Sequence, residues 1–421
     1  MSEIFIKEIK VNKVRHLHDL YIPISDNEKK HLIITGKNGS GKTSLLLEIK
    51  KHLEGIPNEE LLNIENLKNE IWNSESSLKN AKNKLESEND GLKRIGLKGY
   101  IKITEDFIKN DKIQIEKFSS IELIFKNLEF VYEHYKKGEF VFAFFNSKRT
   151  TQLTLPKGIQ KLEIKKVYNI EEKANQSFIQ YLVNLKAQRS FARDANNMKT
   201  VEEIDLWFQS FEGYLKELFG DPSLYLEFDS DNFDFNIVQE GKEKYNFNTL
   251  SDGYSAILNI ITELIMRMEK KSPRFYDTQG IVLIDEVETH LHIDLQKQIL
   301  PFLTKVFPKI QFIVTTHSPF VLNSISNATV YDLELQEPVH DMSGYSVEGI
   351  IESYFDADKY SDVLKGQVAE YETLWLKENL SDDELLKLKE LRNYFTHLPK
   401  INSEEFELKI KQIELSKIRK I

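Results

Sequence analysis

The 421-residue chain contains no cysteine, which excludes disulfide bonds, thiolate metal sites and a cysteine nucleophile. No apolar run approaches the ~18 residues of a membrane-spanning helix, and the first residues lack the apolar segment of a signal peptide. The chain also has no excess of positive charge, because its 57 Lys and Arg residues are outnumbered by 67 Asp and Glu residues, which gives a net charge of −10. Any contact with DNA therefore requires a local basic patch. These absences predict a soluble, cytoplasmic protein with no membrane partner.

Apolar periodicity predicts strands that alternate with helices, which is typical of an α/β fold with a largely parallel sheet. The first two strands are expected to form a hairpin. The predicted strands are 4–14, 20–24, 31–35, 121–125, 139–145, 224–228, 233–238, 280–286 and 310–316. Helices are predicted after residue 42, over 174–219, 252–270 and 291–307, and from about 351 to the end.

Between two of these strands, the chain carries a heptad pattern of apolar residues. It predicts a short coiled-coil arm or one limb of a helical hairpin. The heptad positions are Ile64, Ile71, Leu78, Leu85 and Leu92, with Leu67, Ala81 and Ile95 at companion positions.

The stretch "GKNGSGKT", Gly36–Thr43, matches the pattern G-x-x-x-x-G-K-[ST] between a strand and a helix. Such a loop turns backbone N–H groups toward phosphate oxygens, and the helix dipole adds to the attraction. Lys42 is expected to reach the β- and γ-phosphates, and the Thr43 hydroxyl to ligate Mg²⁺. The sequence therefore predicts binding of ATP with Mg²⁺. The predicted nucleotide-binding residues are Gly36, Asn38, Gly39, Ser40, Gly41, Lys42, Thr43 and Ser44.

An apolar strand, "GIVLIDE", ends in Asp285 and Glu286. Asp285 is expected to hold Mg²⁺, and Glu286 to orient or deprotonate the attacking water. We interpret Glu288 as a solvated residue at a helix start. His290 and His292 lie two residues apart, whereas a helical metal pair needs four, so we interpret them as loop and packing residues.

Two further stretches contain candidate site residues when they are considered together with these motifs. In "LSDGYSAILNI", Ser251, Asp252 and Gly253 begin a helix and present a hydroxyl and N–H groups suited to an anion, although a simple helix N-cap explains them too. In "FIVTTHSPFV", His317 follows a buried strand. Taken alone, it is a strand-end residue.

The ordered set GKNGSGKT, LSDGY, LIDE and TTHSP resembles the ABC-type ATPases of the group that includes the RecF and SMC proteins. The resemblance implies a P-loop ATPase head with a mixed sheet and a helical signature lobe, which forms a homodimer or higher oligomer. In such a dimer, Ser251, Asp252 and Gly253 face ATP held by the partner, and His317 senses the γ-phosphate beside Glu286. The sequence departs from the group at Asp252-Gly253-Tyr254, and it has no clear glutamine loop.

More narrowly, the stretches "LIDEVETHLH" and "FPKIQFIVTTHSPFVLNSI" look like those of the ATPases of the anti-phage Septu system, which also accompany some retrons. That resemblance implies a separately encoded HNH-type nuclease as partner. The ~70 residues after "ESYF" carry no Toprim-like acidic pattern, so no nuclease centre is expected in this chain.

Six segments are predicted on this basis. They are an ATPase lobe with the phosphate loop (1–56), a heptad insertion (57–118), the rest of the first lobe (119–165), a helical signature lobe (166–275), a lobe with the acid pair and His317 (276–345), and a helical C-terminal tail (346–421).

Three other functions are compatible with parts of the sequence. A DNA-repair ATPase of the RecF type would clamp DNA, and a transporter subunit would act beside a membrane protein. A nucleotide-locked module would restrain a toxin without turnover. Among isolated basic residues, we interpret Lys148 and Arg149 as a solvated strand end, and Lys186, Arg189 and Arg193 as a solvated helix face, with phosphate contact as the alternative.

Overall fold

The computed structural model of the chain describes residues 3–150, 152–270, 276–354, 361–397, 408 and 410–415. The chain divides into two units, with the boundary between Tyr345 and Ser346. Parts of the predicted C-terminal tail, 355–360, 398–407, 409 and 416–421, lie outside the described residues. Among the described helices, none combines the length and the apolar character needed to cross a bilayer.

Twelve strands form three sheets within the described residues. In chain order they are β1 Ile6–Val14, β2 Leu17–Pro23, β3 His31–Thr35, β4 Ile121–Phe125, β5 Phe140–Phe145, β6 Tyr225–Asp229, β7 Asp234–Val238, β8 Tyr245–Asn246, β9 Gln279–Ile284, β10 Ile310–Thr315, β11 Ala328–Asp332 and β12 Glu337–His340.

Helices cover much of the remaining described chain. They are α1 Lys42–Gly55, α2 Ile64–Ser87, α3 Gly91–Lys117, α4 Leu128–Lys136, α5 Phe178–Asp194, α6 Met198–Phe219, α7 Asp252–Met268, α8 Ile293–Val306, α9 Pro319–Leu322, α10 Val347–Gly349, α11 Asp362–Leu376 and α12 Asp382–Thr396. Short 3₁₀ turns occur at Asn175–Ser177 and Phe247–Thr249, and a π-helical turn at Ile350–Tyr354.

The central sheet has the strand order β12-β11-β3-β10-β9-β5. The five strands from β11 to β5 are parallel, and β12 is antiparallel to β11. Strands β3 and β10 are buried along their whole length, which explains why they appear in the sequence as continuous apolar runs. The prediction of an α/β fold with a mixed sheet is confirmed, whereas β11 and β12 were not predicted.

A second sheet, β2-β1-β4, contains the predicted N-terminal hairpin. Apolar side chains of β1 and β2 alternate with polar ones, so one face packs into the core that also contains α1 and β3. This sheet places the turn at Arg15 and His16 beside the phosphate loop, because the His16 Nε2 lies 3.1 Å from the Ser40 carbonyl oxygen.

The heptad segment forms an antiparallel helical hairpin of α2 and α3. Two ion pairs at 2.7 Å cross between the helices, Lys82 with Glu105 and Lys112 with Glu75. Ile71 and Ala81 are buried between them. Leu92 and Ile95 are exposed instead. The chain turns at 88–90, so these two residues lie on α3 and the heptad spacing counted along α2 no longer applies to them.

The helices α5 and α6 and the sheet β6-β7-β8 enclose an aromatic core built by Phe178, Trp207, Phe211 and Phe247. In the unit that begins at Ser346, α11 and α12 share a smaller core around Tyr371 and Phe395.

A buried ion pair attaches α7 to the central sheet. Arg267 Nε donates to Glu263 Oε1 at 2.7 Å, and its Nη1 donates to the Phe142 carbonyl oxygen of β5 at 2.7 Å. Glu263 also accepts from the backbone N–H groups of Ala174 and Asn175 at 2.9 Å. The carboxylate and the guanidinium are therefore both satisfied without water.

We expect Arg267→Met to lower the free energy of unfolding by about 3–5 kcal/mol, because it leaves the Glu263 carboxylate buried and uncompensated. Arg189→Met is the matched control. It removes a partly exposed pair with Asp205 and should cost about 0–1 kcal/mol. Urea denaturation of the two variants measures the difference. Equal losses would show that burial of the pair does not matter.

Candidate functional site

The phosphate loop connects β3 to α1 and bends through left-handed backbone positions. Gly36 has a φ of +134° and Gly41 a φ of +98°. A Cβ at Gly36 would lie 2.9 Å from the Ser40 hydroxyl oxygen, so a side chain there would disturb the loop. Lys42 Nζ donates to the carbonyl oxygens of Gly36 at 2.8 Å and Lys37 at 3.0 Å. Burial lowers the pKa of Lys42.

Asp285 follows β9 and lies between two threonines. Thr43 Oγ1, at the start of α1, is 3.1 Å from both carboxylate oxygens of Asp285. Thr315 Oγ1, at the end of β10, donates to Asp285 Oδ1 at 2.7 Å. The carboxylate is thus fixed beside the hydroxyl that the phosphate-loop pattern assigns to Mg²⁺.

Glu286 has the left-handed φ of +44°, which is uncommon for a residue with a side chain. Its N–H donates to Thr315 Oγ1 at 2.7 Å, and its Oε2 accepts from Thr289 Oγ1 at 3.2 Å. The side chain is half-buried, so its carboxylate remains open to solvent and to a bound reactant.

The residue after β10, His317, is held through its backbone. Its N–H donates to Glu288 Oε1 at 2.5 Å, and Thr316 Oγ1 donates to Glu288 Oε2 at 2.7 Å. The interpretation of Glu288 as a solvated helix-start residue is therefore wrong. Its carboxylate is half-buried and fixes the strand end that carries His317, and α8 begins only at Ile293.

A cavity of about 260 Å³ brings most of these groups together. From the phosphate loop and α1 it is lined by Asn38, Gly39, Gly41, Lys42, Thr43 and Ser44, and from elsewhere by Arg15, His16, Glu286 and His317. Gly36, Ser40 and Asp285 support it through the hydrogen bonds of Lys42 and Thr43. Gln152, which follows β5, is exposed and does not line this cavity.

The residues Ser251, Asp252 and Gly253 lie in a different cavity, of about 630 Å³. Ser251 is exposed and its side chain makes no capping hydrogen bond, so the alternative of a helix N-cap does not account for its hydroxyl. A Cβ at Gly253 would lie 2.9 Å from the His290 carbonyl oxygen, which explains a glycine there. His290 and His292 line this same cavity.

The interpretation of Arg149 as part of a solvated strand end is wrong, because its side chain is buried. It is 3% exposed, and its guanidinium donates to the carbonyl oxygens of Asp285 at 2.7 Å, Glu286 at 2.9 Å and Val287 at 3.2 Å. Burial lowers its pKa to about 10, which leaves it charged at neutral pH. The guanidinium therefore fixes the backbone of the acidic loop. Its position directly after a strand was the only sequence signal.

The basic residues on the predicted face of α5 differ in how far they are engaged within the chain. Arg189 forms a bidentate ion pair with Asp205, and Lys186 Nζ lies 4.1 Å from the centre of the Phe208 ring. Two of the three helix-face cations are thus engaged within the chain, and Lys148 and Arg193 are exposed.

The donor set suits a hard divalent cation with water ligands. Across the described ranges, no group of three or more His, Cys, Asp or Glu side chains is arranged to hold a metal. The Thr43 hydroxyl and the Asp285 carboxylate are oxygen donors, which Mg²⁺ prefers, and Mg²⁺ usually takes few protein ligands because it keeps water and phosphate oxygens.

Residues 32–323 match a protein family described as "AAA domain, putative AbiEii toxin, Type IV TA system". The match covers more than half of the chain and includes every residue discussed at both cavities except Arg15 and His16. The chain belongs to this AAA-domain family.

Curated relatives of this AAA-domain chain include Septu and retron proteins. A Septu protein PtuA of Bacillus mycoides (strain KBAB4) is 38% identical over 114 residues, covering 25% of this chain and 16% of that protein. A retron Ec83 probable ATPase of Escherichia coli is 30% identical over 207 residues, covering 46% and 35%. A Septu protein PtuA of Bacillus thuringiensis is 31% identical over 146 residues, covering 31% and 37%. The matches thus span at most 37% of the length of these relatives.

The resemblance to ABC-type defence ATPases is confirmed by this family and these relatives. Among solved structures, the SMC head domain from Thermotoga maritima aligns with a TM-score of 0.34 at 14% identity, covering 78% of this chain and 94% of that one.

We expect the pKa of His317 to lie below its ordinary value of 6.5, because burial and the positive charge of Lys42 both lower it. Lys42→Met removes a positive charge and should raise this pKa, whereas Glu288→Gln removes a negative charge and should lower it. A histidine NMR titration, assigned with His317→Asn, measures all three values. Shifts in the same direction for both variants would contradict this account.

Proposed function

We propose that the chain binds ATP with Mg²⁺ and hydrolyses it in a dimer of heads. One observation carries the proposal. The phosphate-loop residues, Glu286 and His317 surround one cavity, whereas Ser251, Asp252 and Gly253 line another. The residues of the first cavity bind and react, and those of the second complete the site of another copy.

Within the first cavity, each residue has a distinct role. Lys42 and the N–H groups of the loop bind the triphosphate. Thr43 and Asp285 hold Mg²⁺, which supplies neutralisation of phosphate charge when it is bound. Glu286 orients a water molecule and accepts its proton, because its carboxylate is half-buried and faces the cavity.

His317 faces the same cavity as Glu286. Its lowered pKa keeps the imidazole neutral at pH 7, so one ring nitrogen accepts and the other donates a hydrogen bond. We therefore assign it to sensing the γ-phosphate. Its fixed backbone position, through Glu288, lets a change at the phosphate pass to the end of β10.

The signature residues support engagement of two copies. Ser251 offers an uncommitted hydroxyl at the start of α7, whose N-terminus favours an anion. Since these residues do not line the phosphate-loop cavity of their own chain, ATP held by a second copy is the anion that we assign to them.

The relatives named as Septu and retron proteins support a biological role in defence. We propose that ATP-driven closing and opening of the dimer regulates a separately encoded HNH-type nuclease during defence against phage. A DNA contact of the heads is not part of this proposal, since two of the three cations on the α5 face are engaged within the chain.

The test is steady-state ATP hydrolysis by the purified chain and by Glu286→Gln, with oligomeric mass followed in the same samples. The variant should lose about 10²–10⁴-fold in kcat, because a positioned general base contributes that much. It should still assemble with ATP, since binding depends on Lys42 and the loop. A wild type that neither hydrolyses ATP nor changes mass with it would refute the proposal.

Arg149→Met should reproduce the behaviour of Glu286→Gln. The substitution releases three carbonyl oxygens of the acidic loop, and misplacement of a reacting group by about 1 Å can cost 10²-fold in rate. We expect kcat to fall by 10-fold or more while the Kd for ATP changes by about threefold or less. Arg149→Lys should remain impaired, because an ammonium group cannot replace the planar fork of donors.

Lys148→Met is the matched control, since the neighbouring Lys148 side chain is exposed. Normal kcat in Arg149→Met would show that the guanidinium does not position Glu286. A parallel loss of ATP binding would assign it to general stability instead.

A further inference from the structure

One face of α3 exposes large apolar side chains along most of the helix. We call this face the α3 stripe, and it consists of Leu92, Ile95, Tyr100, Ile103, Phe107 and Ile113. Leu92 is 82% exposed, Ile103 65% and Phe107 62%. At 3.6 residues per turn, the six positions fall within a sector of roughly 140°, the width of a packing face.

The hairpin itself does not use this stripe. The side of α3 that packs on α2 is marked by the buried residues Thr104, Ile108 and Asp111. Beside the stripe, a groove of about 190 Å³ between the two helices is lined by Tyr100, Ile103 and Phe107. The exposed polar residues Asp106 and Asn110 fall within the same sector. Large apolar side chains that are exposed together on one helix face mark an interaction surface.

Two glycines, Gly96 and Gly99, lie on the same face. Each costs a helix about 1 kcal/mol relative to alanine. A Cβ at either position would meet no atom within 4 Å, so packing inside the chain does not require a glycine there. Small residues on a helix face let another helix approach closely.

We propose that the α3 stripe is a dimer interface with a second copy of this chain, formed by antiparallel packing of the two α3 helices around a two-fold axis near Ile103. Ile103 is at the centre of the stripe, which extends from Leu92 to Ile113. The stripe exposes on the order of 700 Å² per protomer, which is close to the ~800 Å² that one partner contributes to a standard interface.

The order of large and small residues along α3 selects the antiparallel arrangement. About an axis at position 103, Phe107 of one copy lies opposite Gly99 of the other, so a ring fills the space that the glycine leaves. Tyr100 lies opposite Asp106, which places a phenol hydroxyl near a carboxylate. Parallel packing would oppose the two Phe107 rings and leave the glycines over each other, which fits poorly.

A second copy accounts for the stripe better than an unrelated protein does, because an isologous interface has to be complementary to itself. The α3 stripe meets that condition through its central Ile103 and its paired positions 99 and 107. This interface needs no nucleotide, since none of its residues lines either cavity described above. Its test is therefore independent of the proposed ATPase function.

The absence of cysteine allows a direct test in the full chain. Ile103→Cys should form a cross-linked dimer on mild oxidation without ATP, because the two positions meet at the axis. Gly99→Cys and Phe107→Cys should each cross-link poorly alone and efficiently when the two variants are mixed. Eight residues, about 12 Å along the helix, separate like positions in the antiparallel arrangement. Lys98→Cys, off the stripe, is the control.

Efficient cross-linking of Gly99→Cys and Phe107→Cys each with itself would indicate parallel helices and overturn the proposed arrangement. Absence of the Ile103→Cys dimer would overturn the interface. So would protection of that thiol from a maleimide only after the nuclease partner is added, since the stripe would then belong to that partner.

A disruptive variant provides a second measurement. Ile103→Glu places two carboxylates together at the axis and should raise the dimer dissociation constant at least 100-fold in sedimentation equilibrium without nucleotide. Lys98→Glu should leave it within about threefold. Circular dichroism verifies that both variants stay folded, and since Ile103 is exposed, neither should unfold the hairpin. A wild-type chain that is monomeric at tens of micromolar without nucleotide would refute the proposal.

Discussion

The hydrogen bonds of Asp285 join the ends of three neighbouring parallel strands. Its carboxylate bonds to Thr43, which follows β3, and to Thr315, which ends β10, while Asp285 itself follows β9. This contact is possible because β3, β10 and β9 are adjacent and in parallel register, so their carboxyl ends lie at one edge of the sheet. The phosphate loop, Glu286 and His317 all extend from that edge. Their distances to one another therefore depend on the pairing of buried strands rather than on the loops.

Backbone contacts then set the orientation of the reactive side chains. Glu286 adopts a left-handed φ that most residues avoid, and Arg149 bonds to the carbonyl groups on both sides of it. Glu288 positions His317 in a similar way, because its carboxylate accepts a hydrogen bond from the backbone N–H of His317. The buried Arg149 thus fixes residues 285–287 after β9, and the Glu288 carboxylate fixes the residues that follow β10. The energetic cost of burying Arg149 is offset by the several carbonyl oxygens that accept its hydrogen bonds.

Much of the fold and of the candidate site could be predicted from the sequence, because the signals lie in short continuous stretches. The phosphate loop has its glycines and Lys42 within eight consecutive residues, and most predicted strands carry continuous apolar runs, so both could be predicted. The contacts of Arg149 and Glu288 could not be predicted, because their partners lie at the ends of other strands and nothing near them in sequence reveals those partners. The two strands β11 and β12 were also missed, since neither carries a continuous apolar run: their sequences are ATVYD and EPVH. Likewise, the heptad pattern gave the hairpin but not the exposure of Leu92 and Ile95, which depends on where the chain turns.

The proposed surfaces of this chain lie on different elements. The signature cavity involves the start of α7 and the loop before α8, while the α3 stripe belongs to the helical hairpin. A protomer with one isologous interface stops at a dimer, but two different isologous interfaces on one protomer extend the assembly beyond it. Closure into a ring or growth into an open array then depends on the angle between the two axes. ATP would act on the head contact alone, so nucleotide turnover would change the connectivity of a standing assembly rather than create it from monomers. Hydrolysis would then have a structural consequence, since each opened head pair remains attached through its hairpins.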